Sequence, residues 1–281
     1  MPPFTAPRTP TAPELNAANR ALLYVTTYIR MTPARDWDAT TYERISAPMT
    51  AMGAEVLDRL VLLGDETVLD AGCGTGNVTR LLLDRLPRGR VIAVDAAPSM
   101  VEQARALLPA AVDVRRADLL ELALDAPVDA VLSTATFHWV PDHERLFANL
   151  RAALVPGGRL VAQCGGAGNV AEIKAAGIAL AGEAPYAEHF AGWETDWTFA
   201  TPEETERRLR AAGFTDVWCW RTRVDVDPED PAAYLGAICL GSFLARLPQE
   251  LHAGFVAAAL ERLPDPLRIH YVRLNILARR P

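Results

Sequence analysis

Apolar segments alternate with amphipathic segments through the middle of the chain. Short apolar runs of the kind that forms buried strands are predicted at 66–71, 91–95, 112–116, 129–133 and 159–164. Apolar positions at helical spacing predict helices between them, at 77–86, 98–108 and 142–154. This alternation predicts an α/β fold, in which a doubly wound parallel sheet carries helices on both faces.

The pattern continues less regularly on either side. A helix is predicted at 48–62, before the first strand. Another is predicted at 202–212, because Thr201 can cap it, Pro202 suits its first position and Glu204 completes a capping box. Two further strands are predicted, from Phe214 to about Val224 and at 268–279, where apolar and polar positions alternate.

Two segments, 166–200 and 227–265, lie outside this alternation and are predicted to be insertions. In open α/β sheets ligands bind over the carboxyl ends of the strands, so an insertion after the fifth strand is expected to form a lid. The predicted division of the chain is a disordered tail at 1–13, an N-terminal cap helix at 14–36, a core at 37–165, a lid insertion at 166–200, a continued core at 201–226, a helical insertion at 227–265 and a last core strand at 266–281.

Composition narrows the class of protein. Half of the 281 residues are apolar, so a sizeable core is expected, and the net charge of −7 argues against a nucleic-acid or anionic-membrane surface. The four cysteines are scattered and form no C-x-x-C, which argues against structural zinc or disulfides. No apolar run approaches the length of a membrane span and no signal peptide opens the chain, so a cytoplasmic protein is expected.

The most informative segment is a glycine-rich turn at 68–77, Val-Leu-Asp-Ala-Gly-Cys-Gly-Thr-Gly-Asn. A second apolar strand follows and ends at Asp95, the arrangement of a ribose-binding half-site in which the acid holds the ribose hydroxyls. Asn77 stands where a dinucleotide fingerprint would have its third glycine, which disfavours a nicotinamide cofactor. Asp70 beside the turn suits a cationic ligand better than a pyrophosphate.

These residues resemble motif I of the class I S-adenosylmethionine (SAM)-dependent methyltransferases, and the resemblance covers about 37–165 closely. It implies a Rossmann-like sheet, mostly parallel with an antiparallel last strand, and SAM as cofactor, with S-adenosylhomocysteine as its product. The residues that it places at the cofactor are Trp37, Tyr42, Asp70, Gly72, Cys73, Gly74, Gly76, Asp95, Ala96, Met100, Ala117, Asp118, Leu119 and Thr134.

The resemblance gives several of these residues a role. Met100 is expected against the adenine, and Asp118 near its amino group. Trp37 and Tyr42 resemble an aromatic cluster that covers the sulfonium, where a π face stabilises a cation by about 0.5–2 kcal/mol. Tyr42 is equally compatible with a core-facing position on a helix.

Phe137-His138-Trp139 resembles the H-W signature of the trans-aconitate, juvenile-hormone-acid and malonyl-carrier-protein methyltransferases, which make methyl esters. The candidate catalytic residues are therefore His138, Trp139 and Tyr42. A carboxylate acceptor needs no general base, since its pKa is about 4. His138 remains open as a base, as a hydrogen-bond donor to a carboxylate, or as a structural cap.

Further residues are candidates for the acceptor site. An arginine is expected to hold a carboxylate, and Arg44, Arg223 and Arg273 are open. Trp193 and Trp197 are expected to form an apolar wall, and His189 is a further candidate. The other histidines lack metal-ligand spacing, so no metal is expected, and a surface position is predicted for His143, His252 and His270.

The sequence leads to four functional hypotheses. The first is a SAM-dependent methyltransferase that esterifies a small carboxylic acid; the second methylates carbon, nitrogen or hydroxyl on a bulky apolar specialised metabolite. A SAM-binding sensor without turnover is the third, and a nicotinamide oxidoreductase the fourth. The composition suggests a bacterial source, the partner is a small molecule, and the N-terminal helix makes a homodimer or higher homo-oligomer one expectation.

Overall fold

The computed structural model describes residues 47–281. The predicted tail and cap helix, with Trp37, Tyr42 and Arg44, lie outside the described residues. The helices, numbered in chain order, are α1 Ala47–Leu57, α2 Asn77–Asp84, α3 Pro98–Leu107, α4 His143–Ala153, α5 Ala171–Ala181, α6 Pro202–Ala211, α7 Pro231–Tyr234, α8 Gly241–Leu244 and α9 Gln249–Leu260. None of these described helices is long and apolar enough to cross a membrane.

Seven strands form one sheet in the order β3-β2-β1-β4-β5-β7-β6. The strands are β1 Thr67–Ala71, β2 Arg90–Asp95, β3 Asp113–Arg116, β4 Val128–Thr134, β5 Leu154–Gly165, β6 Thr215–Val226 and β7 Ile269–Arg279. β1 to β5 pair in parallel, and β7 runs antiparallel to both β5 and β6. The predicted α/β class and the antiparallel last strand are therefore confirmed. The strand order reverses between β1 and β4, which places a ligand crevice at their carboxyl ends.

Short sequence motifs determine where some of the helices and strands begin or end. The capping box at α6 is present, with the Glu204 N–H bonded to Thr201 Oγ1 at 3.2 Å and the Thr201 N–H bonded to the Glu204 carboxylate at 2.9 Å. The helix predicted at 48–62 ends earlier, at Leu57. β5 begins earlier than predicted because the segment Pro156-Gly157-Gly158 pairs with the chain just after β7: the Gly157 N–H donates to the Arg280 carbonyl at 2.8 Å.

The two insertions pack together into one helical layer, which we call the lid. α5 follows β5, and α7 to α9 lie between β6 and β7. Aromatic rings from both insertions meet in the interior of this layer, with centroid distances of 5.1 Å for Trp193–Phe243 and 6.1 Å for Phe190–Phe255. The expected lid is therefore built from both insertions. Each contributes three buried aromatic residues, which are Tyr186, Phe190 and Trp197 from the first and Tyr234, Phe243 and Phe255 from the second.

β7 contributes side chains both to the core of the sheet and to the core of the lid. The strict alternation expected for it is wrong over its second half, where Leu274, Asn275 and Ile276 are all buried. β7 is bonded to β5 on one side and to β6 on the other, and both of its faces are covered there. Nearer its start, Tyr271 belongs to the lid core, so this strand links the two layers.

Candidate active site

The glycine turn between β1 and α2 adopts a backbone that only glycine takes readily. Gly72, Gly74 and Gly76 have φ values of 85°, 54° and 91°. A Cβ on Gly72 would collide with the Thr136 side chain, whereas a Cβ on Gly74 would meet nothing within 4 Å. Gly72 thus permits close packing of the loop after β4, and Gly74 leaves open space above the turn.

Asp95 ends β2 directly beside this turn. Its Oδ2 accepts the Gly74 N–H and its Oδ1 accepts the Ala97 N–H, each at 2.9 Å. Burial raises the pKa of Asp95, although both N–H bonds act in the opposite direction. Because a carboxylate has about four lone-pair sites, each oxygen can still accept a bond from a ligand hydroxyl.

Asp70 lies under the turn, and only 1% of it is exposed. Thr79 Oγ1 donates to its Oδ2 at 2.7 Å, while its Oδ1 is buried with no hydrogen-bond partner among the described residues. Burial raises the pKa of this carboxyl to about 6, and the nearby Asp95 adds to the rise. A cationic ligand above the turn would favour the ionised form of Asp70.

The loop after β4 carries His138 in a short 3₁₀ helix, Phe137–Trp139. The imidazole is 7% exposed, and its Nδ1 accepts the Gly165 N–H from the end of β5 at 3.2 Å. An Nδ1 that accepts this bond carries no proton, so the neutral ring bears its proton on Nε2. Burial, the charge of Arg273 and His143 hold the pKa of His138 well below its usual value.

His143 supports the same turn from below. It was predicted on the surface, but this is wrong: it is buried, and its Nε2 lies 2.8 Å from the Phe137 carbonyl, to which it donates. Its position at the start of α4, directly beneath the 3₁₀ helix, explains the burial. Of the other histidines predicted on the surface, His270 is exposed beside Asp225, and His252 is half-buried at the Leu247 carbonyl.

A small cavity of about 60 Å³, which we call the inner pocket, opens beside His138 and Trp139 under the lid. Four aromatic side chains and the imidazole of His138 contribute to its wall. Trp197 stacks on Phe199 with a centroid distance of 5.6 Å, and Trp139 lies 6.1 Å from Trp197. Tyr271 of β7 also lines this cavity. Trp193, by contrast, packs inside the lid core and does not line the inner pocket, and neither does His189, which lies half-buried beside Glu188.

One of the candidate arginines lines the inner pocket. Arg273 is 3% exposed, its Nε donates to Gln163 Oε1 at 3.2 Å, and its guanidinium lies 5.9 Å from the centroid of Tyr271. Arg223 lines a different cavity. The pocket also includes residues that sequence reasoning missed, namely Asn169, Val170 and Ile238, which no motif signalled because they come from both insertions.

The comparisons with known proteins agree with this geometry. A family described as "Methyltransferase domain" matches residues 68–158. A trans-aconitate 2-methyltransferase of Variovorax paradoxus is 34% identical over 249 residues, covering 85% of this chain and 94% of that protein. Its counterpart in Methylobacterium nodulans is 33% identical, over 87% of this chain and 98% of the relative. The chain belongs to the class I SAM-dependent methyltransferases.

Solved structures agree with the fold of this methyltransferase. A Haemonchus contortus phosphoethanolamine N-methyltransferase 2 in complex with SAM aligns with a TM-score of 0.59 at 19% identity, over 91% of this chain and 59% of that chain. The [4+2]-cyclase SpnF aligns with a TM-score of 0.55 at 20% identity, over 83% and 81%. Since one of these neighbours is a cyclase by name, the fold by itself does not specify the reaction.

The residues around the turn fit SAM. Asp70 has an unsatisfied buried oxygen suited to a cationic ligand, Gly74 leaves room, and Asp95 presents two oxygens to ribose hydroxyls. We propose that the sequence-predicted set holds the cofactor from the carboxyl edge of the sheet. Its members there are Asp70, Gly72, Cys73, Gly74, Gly76, Asp95, Ala96, Met100, Ala117, Asp118, Leu119 and Thr134.

Some of these residues also have a structural role. Met100 and Cys73 are buried, and burial raises the pKa of the Cys73 thiol well above its usual value. Asp118 is exposed, where it caps a 3₁₀ helix through the Leu120 N–H at 2.8 Å. Within the described residues, no group of three or more His, Cys, Asp or Glu side chains could hold a metal ion.

We predict that Asp95→Asn weakens SAM binding about 10- to 100-fold, because a hydrogen bond to a charged acceptor contributes about 1.5–3 kcal/mol. Isothermal titration with SAM measures the loss. Asp84→Asn is the matched control, since its side chain is exposed at the end of α2 that points away from the glycine turn. An Asp95 variant that keeps the wild-type affinity would contradict the ribose assignment.

We predict that SAM binding releases a proton near pH 6. The free protein holds Asp70 with a pKa of about 6, and a bound cation lowers it, so affinity falls as the pH drops through 6 and levels off above 7. Titrations at pH 6 in two buffers of different ionisation enthalpy measure the release. Asp70→Asn should abolish it, and release that persists in this variant would locate the proton elsewhere.

Proposed function

We propose that this methyltransferase transfers a methyl group from SAM to the carboxylate of a small-molecule acceptor, forming a methyl ester in the inner pocket. One observation carries the proposal: a buried arginine, Arg273, lines the same small cavity as the imidazole of His138. Both side chains are hydrogen-bond donors, and together they offer a site for an anionic group rather than for a neutral one.

Arg273 supplies the charge. Its Nε is engaged by Gln163, which fixes the direction of the guanidinium. Burying a charge is costly unless the group is paired and hydrogen-bonded. A guanidinium held in this way at the wall of an aromatic pocket is suited to recognise a planar carboxylate through charge-assisted hydrogen bonds.

His138 supplies a neutral donor. Since its Nδ1 is occupied by the Gly165 N–H, its Nε2–H is the group that a ligand in the pocket can meet. A ring in this tautomer, with its pKa held low, is unsuited to take a proton from an acceptor. We therefore assign it to hold a carboxylate oxygen, which leaves the other oxygen available for reaction.

A carboxylate needs no general base, because it is already ionised at neutral pH. When bound, SAM supplies an electrophilic methyl group on a cationic sulfonium. Arg273 and His138 orient the acceptor, and the aromatic rings of Trp139, Trp197 and Phe199 exclude water. Orientation alone can contribute about 7–11 kcal/mol to such a reaction.

The relatives support the same acceptor group, since they are named as trans-aconitate 2-methyltransferases and trans-aconitate carries carboxylates. A second candidate reaction is methylation of carbon, nitrogen or hydroxyl on a bulky apolar metabolite, because the aromatic side chains of the pocket would also suit an apolar acceptor. That reaction needs a proton acceptor. The described pocket lining offers none except His138, whose tautomer and pKa disfavour the role.

Other assignments extend the proposal. Trp139 lies at the inner pocket and we assign it to the catalytic site. Tyr42 and Trp37 lie outside the described residues and stay predictions. All four cysteines are free and buried, which supports a reducing compartment such as the cytoplasm. We also propose a role in specialised metabolism and a homodimer or higher homo-oligomer.

The test uses methyl-tritiated SAM, a fractionated small-molecule extract of the host and the purified protein. Labelled product is then treated with dilute alkali and volatile methanol is collected. We expect the label to be released, because a methyl ester hydrolyses under these conditions. A labelled product that resists alkali would contradict ester formation and indicate methylation at carbon, nitrogen or an ether oxygen.

We predict that Arg273→Gln lowers kcat/KM for the acceptor about 30-fold or more, since losing one partner of a buried charge pair costs about 2–5 kcal/mol. SAM affinity should stay within a few-fold, because Arg273 lies on the acceptor side of the site. Arg279→Gln is the matched control, because its side chain lies on the same strand, is exposed and lines neither cavity. Equal losses in both variants would remove Arg273 from the carboxylate site.

A further inference from the structure

A second and larger cavity of about 510 Å³ adjoins the inner pocket. We call it the outer cavity. It lies between the start of α5, the segment before β7 and the β6–β7 pair. Val170 and Tyr271 line both cavities, so the two spaces lie on either side of these residues.

The inner pocket is too small to hold a whole acceptor. Its volume of about 60 Å³ corresponds to about two water molecules at the ~30 Å³ each occupies in the liquid. Sites for small molecules typically measure about 300–1,000 Å³. The outer cavity falls within that range, so an acceptor with its carboxylate at Arg273 needs such a space for the rest of its structure.

The chemistry of the outer cavity is mainly apolar. Ile173, Leu263, Leu267 and Ile269 contribute to its wall. Several of its charged groups are already engaged: Arg268 bonds to Asp227 at 2.8 Å, and His270 to Asp225 at 2.8 Å. Glu172 and Arg223 are exposed and carry opposite charges. The buried part of the wall, formed by Ile173, Leu267 and Ile269, is suited to a hydrocarbon body.

The boundary between the cavities has an unusual backbone. Val170, which precedes α5, has φ and ψ of 44° and 39°, a left-handed conformation that a β-branched residue rarely takes. Its side chain is buried. Bonds from the Val170 N–H to the His270 carbonyl and from the Val272 N–H to Asn169 Oδ1 hold this segment against β7.

We propose that the outer cavity holds the body of the methyl acceptor, and that the acceptor is a monocarboxylic acid with an extended apolar chain. This rests on the proposed esterification in the inner pocket. The carboxylate lies at Arg273 and His138, and the chain passes Val170 and Tyr271 into the outer cavity. The wall residues of the outer cavity then select acceptors by length.

The test measures kcat/KM for butanoate, octanoate, dodecanoate and trans-aconitate with the full chain, scored as alkali-labile ester. Each methylene that enters the outer cavity should raise kcat/KM about fourfold, the factor that corresponds to about 0.8 kcal/mol per buried methylene. Trans-aconitate should be a poorer acceptor than octanoate.

Two matched variants of α5 locate the effect. Ala171 is exposed and lines the outer cavity, whereas Ala175 is exposed one turn further along and lines neither cavity. Ala171→Phe should lower kcat/KM for dodecanoate at least tenfold and change that for butanoate less than twofold. Ala175→Phe should change neither. Thermal melting and SAM affinity verify that both variants fold, and Glu172→Trp replaces Ala171→Phe if that variant does not.

The outcomes separate the two proposals. If no acid yields an ester although the protein binds SAM, esterification itself is contradicted. Two other outcomes are that esters form with a kcat/KM that does not depend on chain length, or that Ala171→Phe and Ala175→Phe give the same result. Either outcome shows that the outer cavity is not the acceptor site, while esterification stands. A higher kcat/KM for trans-aconitate than for every monocarboxylic acid would overturn the apolar acceptor.

Discussion

The hydrogen bond from the Gly165 N–H to His138 Nδ1 determines what the acceptor side of the site can do. It joins the end of β5 to the turn after β4, inside a region from which water is largely excluded. His143 holds the same turn through the Phe137 carbonyl. With its Nδ1 occupied and its pKa held low by burial and by Arg273, His138 is left as a donor through Nε2. An enzyme built around a neutral donor is suited to an acceptor that is already a nucleophile.

Sheet topology brings this donor to the cofactor. β1 and β4 are neighbours where the strand order reverses, so the glycine turn after β1 and the His138 turn after β4 share one edge of the sheet. Thr136 bonds to the Gly72 carbonyl at 3.2 Å and couples the two turns directly. The lid then covers the acceptor side with aromatic rings from both insertions. Cofactor and acceptor are thus expected to meet between two rigid strand ends under an apolar cover.

Much of the fold and of the cofactor side of the site was predictable from local sequence. The alternation of apolar and amphipathic segments predicted the strands to within a few residues, apart from the early start of β5, and the glycine spacing with Asp95 predicted the half-site. These signals are short-range, because they depend on residues within one β–α unit. Trp37 and Tyr42, which the resemblance also placed at the cofactor, lie outside the described residues.

The acceptor side was less predictable because it depends on long-range packing. Arg273 and Arg223 looked equivalent in sequence, yet the register of β7 against β5 and β6 places only Arg273 in the inner pocket. Trp193 and Trp197 are four residues apart, and only Trp197 reaches the pocket, since Trp193 is used by the lid core. His143 looked like a surface residue at a helix start because nothing local reveals the turn packed above it.

The dependence of kcat on pH, at saturating SAM and acceptor, tests the central claim most directly. If His138 is a neutral donor and the acceptor is a carboxylate, the logarithm of kcat stays constant from about pH 5.5 to 8, because no group of the reaction changes its proton in that range. A rise with unit slope that levels off near the ordinary pKa of histidine would contradict this, because it would show that His138 must lose a proton to act as a base.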